Sequence, residues 1–429
     1  MFGGDMLTKR RAVGLAAATA AVALLVTTAW QAGAQEPTAA PAPERGVYQL
    51  TGASDAPART QVVSSGVDVL DEGLDGTAMQ VVASPRQADL LRAKGYRLEL
   101  TGDFAKLLKQ RSGPGAKDVH ANDFPAGDEG YHTYDEMKAE VQQATTDHAA
   151  ITQLSSVGQS FEGRDIPVLK ISDNAATDED EPEVLFTCNM HAREHLTTEM
   201  CLHIIQRFTD GYGTDQNVTN MVDNREIFVV PSLNPDGSEF DISGGEYQGW
   251  RKNRQPNDDG TVGTDINRNF SYKWGCCGGS SGSTSAEDYR GPSAGSAPEV
   301  AAIQNWVQGR QFKAHIDFHT FSELVLWPFG HTYDEVTEGM TQEEYDHFKD
   351  IGTQMASTNN YTPEQSSGLY ITDGDINDFM WGTHKVLSYC FEMYPSDGGI
   401  DGFYPPDEQI VPQTTRNDAA VDILLNNVA

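Results

Sequence analysis

Glu183-Val-Leu-Phe-Thr-Cys-Asn-Met190 runs directly into His191-Ala-Arg-Glu194, and Thr197–Thr209 then takes up helical spacing. The first segment is a short apolar run with β-branched and aromatic residues, which predicts a strand buried on both faces. A polar cluster at the end of such a strand, followed by a helix, is where α/β sheets place their sites. Working outward, Glu226–Val230, Phe312–Phe318 and Val386–Met393 read as further strands. Tyr134–His148, Ala297–Gln308, Gln342–Asn359 and Asp407–Asn426 read as helices. The expected fold is α/β, a mixed sheet covered by helices on both faces.

The chain has 429 residues, 30 Lys plus Arg, 63 Asp plus Glu and a net charge of −33. That charge argues against nucleic acid and anionic membranes as partners, since both are polyanions. A hydrophobic content of 38% is too high for an acidic disordered tail.

Lys9, Arg10 and Arg11 precede the apolar run from Ala12 to Ala29, and Ala32-Gly33-Ala34 supplies a small-x-small cleavage pattern. Residues 1–34 therefore read as a secretory signal peptide, so the protein is expected outside the cell and off the membrane once the signal is removed. The Arg10-Arg11 pair leaves a twin-arginine route open. Residues 35–117 form a Pro/Ala linker and a small unit in the order βαββαβ, that of a ferredoxin-like fold. The unit ends in the basic, Gly/Pro-rich stretch Lys109–Lys117, which reads as protease-accessible. A compact unit between a signal peptide and a cleavable stretch reads as a pro-segment; a permanently attached domain is the alternative. Residues 118–429, which alternate the strands and helices above, form the remaining and main domain. Five cysteines are too few for a disulfide scaffold, and the odd number leaves at least one thiol unpaired within the chain.

His191 and Glu194, separated by two residues, can offer a nitrogen and a carboxylate to one metal. Alone the spacing is weak, because roughly one such pair arises by chance among 11 histidines. A third ligand is available in His319, at the end of Ala314-His-Ile-Asp-Phe-His319. Strand alternation puts His315, Asp317 and His319 on one face; His315 reads as a satisfied core histidine. Two His and one Glu leave a position open for water on a catalytic zinc. Arg251, in Trp250-Arg-Lys252, and Arg268, in Asp265-Ile-Asn-Arg-Asn269, offer planar forks for a carboxylate or an oxyanion. Glu392 interrupts the apolar strand Val386–Met393, and burial there raises a carboxyl toward general-base range.

Taken in order, these residues resemble the zinc metallocarboxypeptidases of the carboxypeptidase A/B type, the funnelins. The resemblance extends through Tyr131–Met137, Gly158–Lys170, Asn234–Gly237, Trp327–Gly330, Tyr370 with Gly374, and Gly402–Pro406. The Gly/Ser loop with Cys276-Cys277 is most similar to secreted actinobacterial members. The resemblance implies one Zn2+ per catalytic domain, held by His191, Glu194 and His319, with Asp265 accepting the other ring N–H of the first histidine. It implies Glu392 as the general base that deprotonates the attacking water and then protonates the leaving amine, and Arg251 as the oxyanion partner. Asn267, Arg268 and Tyr370 correspond to the grip on a terminal carboxylate, and Arg193 to a more remote substrate contact. Asn377 stands where relatives place an apolar or an acidic residue, and Asp375 lies two residues earlier with a negative charge. The implied activity is removal of C-terminal residues, hydrophobic ones and also Lys or Arg. The expected partners are peptide or protein C-termini and an activating protease, and the expected state is a monomer.

Relatives have a cis peptide shortly after the base, which places one at Tyr394–Pro395. Two competing readings, a cell-wall peptide amidase of the same fold and a non-catalytic binding homologue, sit poorly with an intact carboxylate grip and ligand set. A serine hydrolase is not supported, since no G-x-S-x-G stands on a strand-to-helix elbow; Gly278–Gly282 lies in a Gly/Ser loop. The charge is unevenly spread: residues 36–117 carry ten basic and ten acidic side chains, residues 118–429 carry 17 and 52.

Overall fold

The computed structural model describes residues 43–74, 78–113 and 123–428. The signal peptide at 1–34 and the end of the basic stretch, from 114 to 117, lie outside these residues. Twelve strands among them are numbered in chain order. Gly46–Thr51 (β1), Asp68–Asp71 (β2), Met79–Ala83 (β3) and Arg97–Asp103 (β4) form an N-terminal antiparallel sheet in the order β2-β3-β1-β4. Helices Ala56–Val63 and Pro85–Ala93 close it over Tyr48, Leu50, Val62, Val81 and Leu91.

Thr152–Gln159 (β5), Asp165–Ile171 (β6), Glu183–Cys188 (β7), Glu226–Val230 (β8), Phe312–Thr320 (β9), Leu324–Trp327 (β10), Thr362–Gln365 (β11) and Leu387–Met393 (β12) form the large sheet. Its order is β11-β10-β12-β9-β7-β8-β6-β5. The four central strands, β12, β9, β7 and β8, are mutually parallel, and β10, β6 and β5 join antiparallel to their inner neighbours. This is the mixed sheet the sequence leads one to expect.

Alternation along the strands explains both layers and the site. On one face Val184, Phe186, Ile316, Phe318, Tyr389 and Phe391 pack against helices His195–Gly211, Gln342–Asn359 and Asp418–Asn426. On the other, Leu185, Val168 and Phe228 meet Val300 and Ile303 of helix Pro298–Gln308 and Phe379 and Met380 of helix Ile376–His384. The apolar register breaks on this second face at Thr187, His315, Asp317, His319, Ser388, Cys390 and Glu392. His315 spans three strands, Nε2 to Thr187 Oγ1 at 2.8 Å and Nδ1 to Ser388 Oγ at 2.8 Å. It is the satisfied core histidine expected, and burial lowers its pKa to about 4.

Two expectations are corrected. Asp407–Asn426 is three pieces, a 3-10 turn at Asp407–Gln409 and helices Ile410–Thr415 and Asp418–Asn426. Pro412 has no N–H to bond back to Glu408, and Asn417 caps the last helix while its side chain bonds Asn359 and Gln413. The basic stretch at Lys109 also starts differently: Phe104–Arg111 is a helix. Its Phe104 and Leu108 enter the main core, and Arg111 is paired to Asp128 at 2.8 Å and bonds Tyr404 O. Arg111 is thus tied down rather than free for proteolysis. Tyr394–Pro395 is cis, as are Thr320–Phe321 and Pro328–Phe329. Cys188 pairs with Cys201, tying β7 to the following helix; Cys276 pairs with Cys277; and Cys390 is free and buried.

Candidate active site

Three backbone segments meet at the carboxyl ends of β7 and β9. After β7 the chain turns at Asn189, with φ of 52°, and brings His191 back toward the sheet. Glu194 is the N-cap of helix His195–Gly211 but makes no capping bond with its side chain. Its carboxylate faces the histidines instead, Oε1 2.8 Å from His191 Nδ1 and Oε2 2.9 Å from His319 Nδ1. The two Nδ1 atoms lie 3.0 Å apart.

The other ring nitrogens decide what this cluster can hold. His191 Nε2 faces Asp265 Oδ1 at 3.3 Å, and His319 Nε2 faces Asp317 Oδ2 at 2.6 Å. With both Nε2–H groups donated to carboxylates, both Nδ1 lone pairs converge on one point beside a third carboxylate. Such a donor set calls for a cation, and two imidazoles with one carboxylate suit zinc. His191, Glu194 and His319 each offer one ligand atom within 4.8 Å of the others, and all three are buried.

Asp265 also accepts Arg251 Nε at 3.1 Å and Nη2 at 2.9 Å, so one carboxylate orients both a zinc ligand and the predicted oxyanion partner. Burial works against the Arg251 charge, but Asp265 and then Glu194 more than offset it, and its pKa rises. Glu392 sits opposite His319 in the β9/β12 register and opens onto the cavity. Burial, with help from Glu194 and Glu72, pushes its carboxyl up to about 8 against the opposing pull of His319 and Arg251.

Around this centre lie Asn267, Arg268, Tyr370, Asp375, Asn377 and Cys390, all lining one cavity. Arg268 is held by Nε to Gly279 O at 3.0 Å and Nη1 to Asn267 O at 2.7 Å. Asn267 Oδ1 accepts Ile376 N at 2.9 Å. Gly374, at φ +69°, lets the 370–375 turn pass against Arg268; a Cβ there would meet Arg268 O at 2.6 Å. Asn377 Nδ2 donates to Ser388 Oγ at 2.9 Å. Asp375 accepts Asp378 N and Thr372 Oγ1, and burial followed by Asp378 raises it to about 7.

One predicted residue stands apart. Arg193 is only 1% exposed and does not line the cavity. It makes a two-pronged ion pair with Asp68 of β2, at 2.7 and 2.8 Å, over the ring of Phe403. Two orienting carboxylates were not singled out by the sequence reading. Asp317 was legible from its place between His315 and His319. Asp373 was not: it bonds Cys277 N, Gly279 N and Ser280 Oγ, and so fixes the loop whose Gly279 carbonyl holds Arg268.

A family model for zinc carboxypeptidases (Peptidase_M14) matches residues 137–420. The chain belongs to the zinc carboxypeptidase family. It is 50% identical over 428 residues to a zinc carboxypeptidase of Saccharothrix mutabilis subsp. capreolus, covering 98% of this chain and 97% of that one. Human carboxypeptidase A5 is 30% identical over 302 residues, 69% of this chain and 67% of its own. Among solved structures, carboxypeptidase A from Helicoverpa armigera superposes with a TM-score of 0.74 at 24% identity, covering 89% of this chain and 96% of that one. The protein is thus a zinc carboxypeptidase, acting at peptide C-termini, and the buried His–Glu–His set fits the family's single catalytic zinc.

Proposed function

We propose that this zinc carboxypeptidase is secreted as a zymogen and removes hydrophobic residues, and also Lys or Arg, from peptide C-termini. The observation that carries the zymogen reading is the cavity itself. Val67, Asp68, Val69, Leu70 and Glu72 of the N-terminal unit line it together with His191, Glu194, Arg251 and Glu392. Glu72 accepts Ser322 Oγ at 2.8 Å, and burial raises its carboxyl to about 7. Arg59 donates to Gly368 O and Leu369 O at 2.7 Å each, while Thr60 Oγ1 accepts Ile371 N at 2.9 Å. Helix Ala56–Val63 therefore holds the backbone on both sides of Tyr370.

With that unit removed, Arg268, Asn267 and Tyr370 form the receptor for a terminal carboxylate. Fixing that end sets which carbonyl meets Arg251, so only chain ends are cut. Bound zinc supplies Lewis-acid polarisation and lowers the pKa of water. Glu392, raised toward neutrality, takes a proton from the attacking water and returns it to the departing amine. Arg251, fixed by Asp265, meets the developing oxyanion. The side-chain pocket has no dedicated ion: Asn377 is uncharged, and Asp375 sits near its neutral point. A cationic side chain draws Asp375 into its charged form, whereas an apolar one leaves it protonated.

Mass-read digestion of a peptide panel differing only in the last residue, before and after trypsin clipping, tests both parts. Equal activity of the full-length and clipped forms refutes the zymogen, and complete rejection of Lys and Arg refutes the role of Asp375. Secretion is tested by N-terminal sequencing of protein from the culture medium, expected to begin at or after Gln35.

A further inference from the structure

The run Ala286-Glu-Asp-Tyr289 carries two carboxylates, Glu287 and Asp288, that line the active-site cavity and that the hydrolysis itself does not use. Tyr289 O accepts Asp265 N at 2.8 Å, so the run lies beside the carboxylate that orients Arg251. Lys252 fixes its start, donating Nζ to Thr284 O at 3.0 Å and to Ala286 O at 3.1 Å. Asp288 O accepts Ser281 N at 3.0 Å. The backbone of this wall is therefore pinned on both sides, and Lys252 spends its ammonium on carbonyls.

Asp288 is 5% exposed, and among the described residues no other group donates a hydrogen bond to either of its oxygens. The neighbouring guanidinium groups are committed elsewhere, Arg268 to Gly279 O and Asn267 O, and Arg251 to Asp265. Burial raises the Asp288 carboxyl to about 7, with Arg268 and Arg251 opposing the rise and Asp265 adding to it. A buried carboxyl without a donor is costly, and the cavity is the side from which a donor can come. Glu287 shows what kind of donor suits the wall. Arg45, just before β1, places Nη2 3.3 Å from Glu287 Oε1 and 3.3 Å from Asp68 Oδ2. The turn before β2 presses on the same run: a Cβ on Gly66, at φ +76°, would stand 3.0 Å from Ala286 Cβ. The N-terminal unit thus covers this wall and sets a cation of its own against Glu287.

We propose that Glu287 and Asp288 form a subsite for a Lys or Arg side chain of the substrate on the N-terminal side of the scissile bond. The assignment rests on the reading that the N-terminal unit, Arg45 included, leaves the cleft when the enzyme matures. Its position follows from the charges already allotted. Arg268 takes the terminal carboxylate, Asn377 and Asp375 face the terminal side chain, and Arg251 meets the carbonyl that is cut. The wall runs past Arg251 to the place of Arg45, whose side chain is 40% exposed at the rim. Residues preceding the scissile bond leave the cavity by that side. An ammonium or guanidinium there meets two carboxylates and brings the donors that Asp288 lacks. The substrate then offers its negative end to the arginines and a positive group to the wall. The role is one of specificity, because neither acid touches the reacting atoms.

The test uses the clipped enzyme with its zinc, freed of trypsin on an inhibitor column. Its substrates are N-blocked peptides ending in Leu, with Lys or Gln at the second or third position from the end. Initial rates of leucine release give kcat/KM for each. At low salt the better-placed Lys peptide is expected to exceed its Gln counterpart about 10-fold, and the ratio should shrink at about 0.5 M NaCl. The double variant Glu287→Gln/Asp288→Asn should bring the ratio to about one, and Glu287→Lys should shift preference toward Glu at that position. A ratio within about twofold of one in the unmodified enzyme overturns the proposal, as does a ratio that the double variant leaves unchanged. Should the double variant fail to fold, Glu287→Lys decides instead, and an undiminished preference for Lys overturns the assignment. Failure of the zymogen reading shows separately, as equal cleavage of the Gln peptide by full-length and clipped protein; the Lys-to-Gln ratio of the clipped form still reads the wall.

Discussion

The two ends of β7 present the same functional group in opposite states. At its carboxyl end, Asp265 and Asp317 are saturated: each faces a histidine Nε2, and Asp265 adds Arg251. His191, Glu194 and His319 each turn one ligand atom toward a common point. At its amino end, four carboxylate oxygens from Asp173, Glu179, Glu181 and Glu226 have no protein donor at all. The first arrangement uses the protein to orient a few ligands, as chemistry requires. The second gathers carboxylates whose outer oxygens no protein donor reaches. Substitution at the first end should therefore cost turnover, and neutralising a carboxylate at the second should leave turnover unchanged.

The largest expected separation comes from Glu392→Gln. Losing the proton carrier should lower kcat by about 10³-fold or more, with zinc content and Tm near those of the parent. Near-normal turnover would reject the general-base role. Next is Arg268→Ala, expected to reduce kcat/KM for free-acid peptides by about 10²-fold, since a charge-assisted grip of about 3 kcal/mol is lost. Its zinc content should stay at one; a matching loss of zinc would mean that Arg268 supports the metal site and not the substrate. Asp317→Asn tests the claim of saturation. It leaves His319 in place but weakens the acceptor at its Nε2, so zinc affinity should fall about 10- to 100-fold, measured by competition with a chelating dye. Unchanged affinity would show that Asp317 serves only to join β9 to Thr187, which it also touches at 2.5 Å.

The same contrast explains what the sequence could and could not reveal. Glu392 and the His315–Asp317–His319 face were legible because a polar residue in a buried strand breaks a period-two pattern whose cost is known. The strands β5 and β6 were missed as strands: β5 exposes Gln153, Ser155 and Ser156 at the sheet edge and so lacks an apolar signal. Arg193 was placed near substrate by resemblance, yet its partner Asp68 lies 125 residues away, and no local pattern announces a pairing at that distance. The acidic run from Asp173 to Glu183 was visible as charge, but whether its oxygens are paired depends on Lys170, Arg310 and Glu226, which arrive from separate strands and a following turn.

Arg193 also supplies the most discriminating effect. Its pairing with Asp68 is buried on both sides, with 1% and 2% side-chain exposure. Removing one partner of a buried pair costs about 3 kcal/mol. Asp68→Asn should spend that loss on the contact between the N-terminal unit and the cavity, because Arg193 keeps its place over Phe403. The full-length variant should therefore hydrolyse peptides faster than the full-length parent, by up to about 10²-fold, and the two should become alike once trypsin has clipped them. If Asp68→Asn instead lowers the Tm of the clipped enzyme, which no longer contains residue 68 in its cleft, the N-terminal unit has stayed bound after cleavage and covers the site by more than this one pair.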